Sequence, residues 1–225
     1  MSKLLTPSIV RMTGSLEERA GTLNVIGCRR IHIDMSVNSS IPDFFRCGMF
    51  GYAERNLFNA SVDFHVFGQG SYDEYKTIPV RRSDRVIFHV FSETRLDALV
   101  GLFRYFKRDE IDIGISLDLG VPVDILLPML MNLDLVLVMG IEAGGYGLPL
   151  SQTALCTMAI LRREMTQQNR SMHMGIDGGV NTGTFELLAK SCDFMVVGGL
   201  LFNAPDIALQ WRSLSRWLKE VESAD

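Results

Sequence analysis

Cysteine is sparse and scattered: Cys28, Cys47, Cys156 and Cys192 lie far apart, with no CxxC pair among them. That excludes the disulfide framework of a small secreted scaffold, and the thiols are expected to be reduced and mostly buried in a cytosolic protein. Excess positive charge is missing as well, since the net charge is −4. A general surface for nucleic acid or acidic membrane is therefore excluded, although backbone N–H groups and a metal can still hold a phosphorylated substrate. No uninterrupted apolar run spans a bilayer: the richest stretch, Ile125–Ile141, is broken by Pro128, Asn132 and Asp134. The N-terminal MSKLLTPSIV has no long apolar core of a signal peptide, so a cytoplasmic location is expected. No linker, low-complexity tract or charge block divides the chain, which predicts one domain over residues 1–225. No GxGxxG opens the first βα unit, and this speaks against a doubly wound dinucleotide-binding sheet.

What the chain does have is alternation. Hydrophobic residues make up 47% and charged residues 21%, as in a globular core. Strand-length apolar runs fall at Leu4–Ser8, Arg30–Asp34, Ser61–His65, Arg85–His89, Asp112–Ser116, Leu133–Val138, Met172–Ile176 and Phe194–Val197. Helical period marks Leu16–Ile26, Glu54–Phe58, Glu93–Lys107, Pro122–Met131, Ser151–Gln168, Gly183–Lys190 and Pro205–Val221, with a short irregular Pro42–Phe45 region and a weak turn near Tyr72–Tyr75. Several strands are apolar on both faces, which suits a buried parallel sheet. Eight such units in this length predict a single (β/α)₈ TIM barrel. Trp211 and Trp217 fall among the apolar positions of the last helix and read as packing. Val37–Asn59, rich in Phe and Gly, is the poorest stretch for regular structure and is expected to act as a lid.

The stretch MHMGIDGGVNTGT, Met172–Thr184, carries the strongest local signal. An apolar run ends in Asp177, then Gly178 and Gly179, whose bare backbone can approach an anion closely. A second strand ends in Gly198 and Gly199. Either pair alone fits an ordinary tight turn, but two in tandem fit the phosphate site that barrels build after strands seven and eight. Of only four histidines, His32, His65 and His89 stand at or beside the C-terminal ends of successive strands, while His173 begins its strand at the opposite rim. Asp34 follows His32 by two and so shares its face. His32, Asp34, His65 and Asp177 would converge inside the barrel mouth, a donor set suited to one divalent ion such as zinc, manganese, iron or cobalt.

IHIDMS, DFHVF, FHVFSE, SLDLGVP, DLVLVMGIEAGG, IDGGVN and VVGGLLF, with Pro7-Ser8-Ile9 on the first strand, resemble the ribulose-phosphate 3-epimerase family in order and spacing over nearly the whole chain. The resemblance implies a (β/α)₈ barrel holding a divalent metal on His32, Asp34, His65 and Asp177. It implies that Asp34 and Asp177 are the acid–base pair for epimerising carbon 3 of a ketose phosphate, most simply D-ribulose 5-phosphate to D-xylulose 5-phosphate. It also places Ser8, His65, Met139, Gly144, Gly147, Gly178, Gly179, Gly198 and Gly199 around the substrate. An assembly of identical subunits, dimer or hexamer, is expected with it, and neither nucleic acid nor membrane as partner.

The chain departs from the family at the pocket wall. Ser36-Val37-Asn38 stands for Met-Asp-Gly, and Phe67 for a methionine two past the third-strand histidine. Glu142-Ala143-Gly144-Gly145-Tyr146-Gly147-Leu148 stands for Asn-Pro-Gly-Phe-Gly-Gly-Gln, with the aromatic one position late; a mobile lid remains expected there. These changes bear on the substrate, so a related hexulose 6-phosphate is the alternative. A decarboxylase or Schiff-base aldolase needs a lysine at a strand end. Lys3, Lys76, Lys107, Lys190 and Lys219 are all elsewhere. A barrel that binds a sugar phosphate without turnover is the remaining alternative.

Overall fold

Chains whose strands are apolar on both faces must cover both, and here helices cover one side while the barrel interior fills the other. The computed structural model describes residues 3–37, 45–46, 50–168 and 171–224. Its barrel strands are β1 (Leu4–Pro7), β2 (Arg30–Ser36), β3 (Ser61–Phe67), β4 (Arg85–Val90), β5 (Asp112–Leu117), β6 (Leu135–Met139), β7 (His173–Asp177) and β8 (Phe194–Val197). All pairings are parallel, in the order β1-β8-β7-β6-β5-β4-β3-β2, and a two-residue strand, Phe45–Arg46, adds to β2. The ends of the sheet meet at one parallel bridge between Ser8 and His32, which nearly closes the expected (β/α)₈ barrel.

The period of two sorts every strand. On β2, Ile31, Ile33 and Met35 join the core beneath the helices, while His32, Asp34 and Ser36 point into the barrel. Ile87, Leu135, Leu137, Phe194 and Val196 form a separate inner cluster across the barrel waist. Gly175 is required there, because a Cβ would lie 2.2 Å from the Phe194 ring. Below that layer Arg30 pairs with Asp63 at 2.7 Å, with buried Arg85 at 3.9 Å from the same carboxylate, so the N-terminal mouth is plugged by charge. The reactive end is therefore the other one.

The helices are α1 (Leu16–Ile26), α2 (Tyr52–Arg55), α3 (Tyr72–Tyr75), α4 (Leu96–Lys107), α5 (Gln152–Gln167), α6 (Phe185–Ser191), α7 (Gly199–Phe202) and α8 (Ile207–Ala224). A Ser15–Glu18 capping box starts α1, and Gly27, at φ 67°, ends it. On α8, Trp217 stacks on Phe185 with ring centroids 4.3 Å apart. Among the described residues no helix is long and apolar enough to cross a membrane.

Two expectations shift. Pro122–Met131 is not one helix but two 3₁₀ turns, Val123–Ile125 and Leu127–Asn132, because Pro128 lacks the N–H that an α-turn needs. Strands six and seven start one or two residues later than their apolar runs, so Asp177 is the last residue of β7 and is held by the sheet. The lid expected over Val37–Asn59 is described only in part, since residues 38–44 and 47–49 lie outside the described residues. Its described part includes α2, whose buried Arg55 grips Asp84 through two contacts of 2.9 and 2.6 Å.

Candidate active site

Parallel register sets the site. Asp34 is paired with His65 across β2 and β3, and Met139 with Asp177 across β6 and β7, so the inward residues reach the C-terminal mouth at a common height. His32 Nε2 lies 3.3 Å from Asp34 Oδ1, 3.2 Å from His65 Nδ1 and 3.5 Å from Asp177 Oδ2. His65 Nδ1 lies 3.2 Å from Asp34 Oδ1 and 3.7 Å from Asp177 Oδ2. One donor atom from each of the four residues lies within 4.8 Å of the others.

Burying four polar side chains together is unfavourable unless each finds a partner, at about 1–3 kcal/mol for every group left unsatisfied. His32 and His65 are wholly buried, and His32 Nδ1 has no hydrogen-bond partner. Such a cluster is a poor way to stabilise a barrel, and its donor chemistry explains it better. Separations of 3.2–3.7 Å match the spacing of ligands around a single ion with bonds of about 2.0–2.2 Å. The donor set of two imidazoles and two carboxylates therefore fits a divalent cation.

The electrostatics agree. Burial alone would depress His32, but Asp34, Asp177 and Asp63 more than offset it and raise the imidazole to about 9. Burial would raise Asp34, yet His32 and His65 hold it well below the usual carboxylate range. Without an ion, a proton on His32 supplies the positive charge that the two carboxylates demand. Cys28 and Cys192 are no candidates for nucleophiles, since burial pushes both thiols up to about 12.

A cavity of about 400 Å³ opens above the cluster. Asp34 and Asp177 reach its floor, Phe67, Met139 and Ile141 supply apolar wall, and both glycine pairs line one side. Ser8 Oγ donates to Asp34 Oδ2 at 3.4 Å, leaving Oδ1 for the imidazoles. Gly144 and Gly147 also line the cavity, at φ 78° and 64°. The cluster thus gathers His32, Asp34, His65 and Asp177, and the cavity gathers Ser8, Met139 and all six named glycines. His65 is not on the cavity wall, because it lies wholly buried with the Phe67 ring 4.1 Å from its own. His173 stands at the opposite end of its strand, half-buried.

Sequence reading passed over Asn203 and Asp118. Tyr146 Oη donates to Asn203 Oδ1 at 3.0 Å across the cavity mouth, joining the loop after β6 to the end of α7. Asp118 follows β5 by one residue and faces His89. His89 lay at the right register to be noticed, and burial lowers its imidazole below the ordinary value, which keeps it neutral at pH 7. Nothing local marks Asn203, whose partner is 57 residues away in the chain.

The glycines differ in what they permit. A Cβ on Gly178 would lie 2.4 Å from Ile141 Cγ1, at φ 91°, so Gly178→Ala should lower stability by about 1–3 kcal/mol through backbone strain alone. The nearest atoms to a Cβ on Gly199 would be side-chain ends, Tyr146 Oη at 2.8 Å, Asn203 Nδ2 at 3.2 Å and Tyr146 Cε2 at 3.3 Å. Gly199→Ala should fold normally, displace Tyr146 and raise KM for a phosphorylated ketose with little change in kcat. Equal kcat/KM of the wild type for a ketose and its phosphate would show that these turns hold no phosphate.

A profile of the Ribulose-phosphate 3 epimerase family matches residues 4–202. The ribulose-phosphate 3-epimerase of Treponema pallidum is 25% identical over 201 residues, covering 88% of this chain and 91% of that one. Ribulose-phosphate 3-epimerase 1 of Cupriavidus necator is 25% identical over 223 residues, covering 96% and 91%. Among solved structures, 3-hexulose-6-phosphate synthase from Salmonella typhimurium superposes with a TM-score of 0.66 over 97% of this chain and 99% of that one. At 14% identity this likeness concerns the barrel fold alone.

Proposed function

This chain belongs to the ribulose-phosphate 3-epimerase family and is an epimerase, and on that premise we propose that it interconverts D-ribulose 5-phosphate and D-xylulose 5-phosphate. The observation that carries the reading is the pair of carboxylates, Asp34 and Asp177, brought from β2 and β7 to the floor of one cavity. Epimerisation at C3 removes a proton beside the carbonyl and returns one to the other face. One carboxylate takes the proton from one face, and the other, protonated, delivers to the opposite face; the roles exchange in the reverse reaction. Ser8 holds Asp34 Oδ2 in place at the floor. The wall of Phe67, Met139 and Ile141 keeps water from the reacting carbon. His32, Asp34, His65 and Asp177 would hold one divalent ion, zinc, iron, manganese or cobalt, which would supply positive charge to offset the negative charge that develops as the C3 proton leaves. The backbone at Gly178, Gly179, Gly198 and Gly199 takes the phosphate, with Gly144 and Gly147 in the loop above. An assembly of identical subunits and a cytoplasmic location complete the proposal.

The reading is supported against lysine-dependent chemistry by the cavity itself, where no lysine or arginine stands among the described lining residues. Phe67 and Glu142 both line it, so the altered wall acts on the length of the ketose, and a hexulose 6-phosphate is the second reading. The test is exchange of the C3 proton into deuterated solvent with D-ribulose 5-phosphate, a hexulose 6-phosphate and both dephosphorylated sugars. Exchange with product formation is expected for the pentulose phosphate. Binding of it without any exchange would convert the protein into a sugar-phosphate receptor.

A further inference from the structure

Behind His65 lies a second imidazole that the proton transfers do not use. His89, inward on β4, presents Nδ1 to His65 Nε2 at 3.0 Å, and its own Nε2 faces Asp118 Oδ1 at 3.7 Å. Neither His89 Nε2 nor Asp118 Oδ1 has a hydrogen-bond partner elsewhere, and both atoms are buried. Both imidazoles are shut off from water: Phe67 lies 4.1 Å from the His65 ring and 4.3 Å from that of His89, and Phe91 flanks His89 at 4.4 Å.

A neutral imidazole carries one N–H and one lone pair, so the partner of one nitrogen decides the chemistry of the other. If His65 Nδ1 is to offer a lone pair to the cluster, Nε2 must carry the hydrogen, and His89 Nδ1 is the acceptor within reach. That places the hydrogen of His89 on Nε2, aimed at Asp118. The opposite ordering would turn a bare His89 lone pair toward a carboxylate and an N–H into the donor cluster. The charge on Asp118 selects the first ordering.

We propose that Asp118 and His89 are positioning residues, a buried chain that fixes His65 in the tautomer offering an unprotonated Nδ1 beside His32, Asp34 and Asp177. The inference rests on the reading of that cluster as a metal centre. Partners of this kind, one step behind a metal-binding histidine, orient the ring and raise its basicity, and their loss lowers metal affinity by about 10- to 100-fold.

The test is nitrogen NMR of the histidine rings in metal-free protein at alkaline pH, where the imidazoles are neutral, together with zinc titration. In the wild type the His65 hydrogen is expected on Nε2. Asp118→Ala and His89→Phe should shift it toward Nδ1 and weaken zinc binding by about 10- to 100-fold. His89→Gln, whose amide oxygen can accept from Nε2–H, should restore both readouts toward wild type, which a loss of packing alone would not allow. If His89→Phe fails to fold, Asp118→Ala decides, because Asp118 lies on a partly exposed loop beyond β5. Wild-type tautomer and zinc affinity in Asp118→Ala would overturn the proposal. A tautomer shift in a protein that binds no zinc at all would remove the metal reading and leave the positioning chain standing.

Discussion

Asp177→Asn is expected to lower epimerisation by at least about 100-fold while the protein folds and keeps part of its affinity for a divalent ion, since about 10²–10⁴ is the usual worth of a positioned acid or base. Asparagine has nearly the shape of aspartate and retains an oxygen, but its amide neither takes up nor releases a proton near neutral pH. Asp34→Asn should fail at least as badly in turnover and worse in ion binding. Its Oδ1 sits 3.3 and 3.2 Å from the two imidazoles, whereas Asp177 stands 3.5 and 3.7 Å from them and is more open to the cavity. Asp177→Asn is therefore the cleaner test of proton transfer. With one carboxylate left, exchange of the C3 proton should persist from one epimer only, without conversion to the other. Near wild-type interconversion by Asp177→Asn with its ion in place would sink the two-carboxylate mechanism.

The meeting of Asp34 and Asp177 at one mouth was legible in the sequence because the place of each follows from local pattern, while their proposed acid–base role came from the family resemblance. IHID on a strand puts His32 and Asp34 on one face, and an acid before two glycines at a strand end puts Asp177 at the mouth. The barrel was legible for a similar reason, since apolar runs and helical period alternate eight times. Boundaries failed where proline overrides period, as at Pro128, and where sheet pairing outlasts the apolar run, as at Asp177. Contacts between distant elements left no local trace. The Tyr146–Asn203 clasp and the approach of Asp118 to His89 depend on how loops close over strands, which periodicity does not encode, whereas His65 and His89 stand on adjacent strands and were in view.

His65→Ala is expected to lose most of the divalent ion, about one per chain in the wild type, while His173→Ala keeps it. Both are histidines on inward-facing barrel positions, so loss of packing affects both variants. Only His65 reaches the donor cluster; His173 begins β7 at the far end, where burial lowers its imidazole. The ion must also compete with a proton, because His32 is raised to about 9 in the metal-free protein. Apparent affinity should therefore climb from pH 6 toward 9 and then level off, with proton release on binding persisting through the climb and fading as the pH passes about 9. Folding stability gives the matching sign. A group whose pKa rises from 6.5 to about 9 on folding stabilises the metal-free protein fully below 6.5 and no longer above 9, whereas depressed Asp34 stays ionised in both states throughout. The gap in Tm between loaded and metal-free protein should widen as pH is raised through that window. Equal ion content in His65→Ala and His173→Ala, or a Tm gap that narrows with pH, would remove the metal from this site.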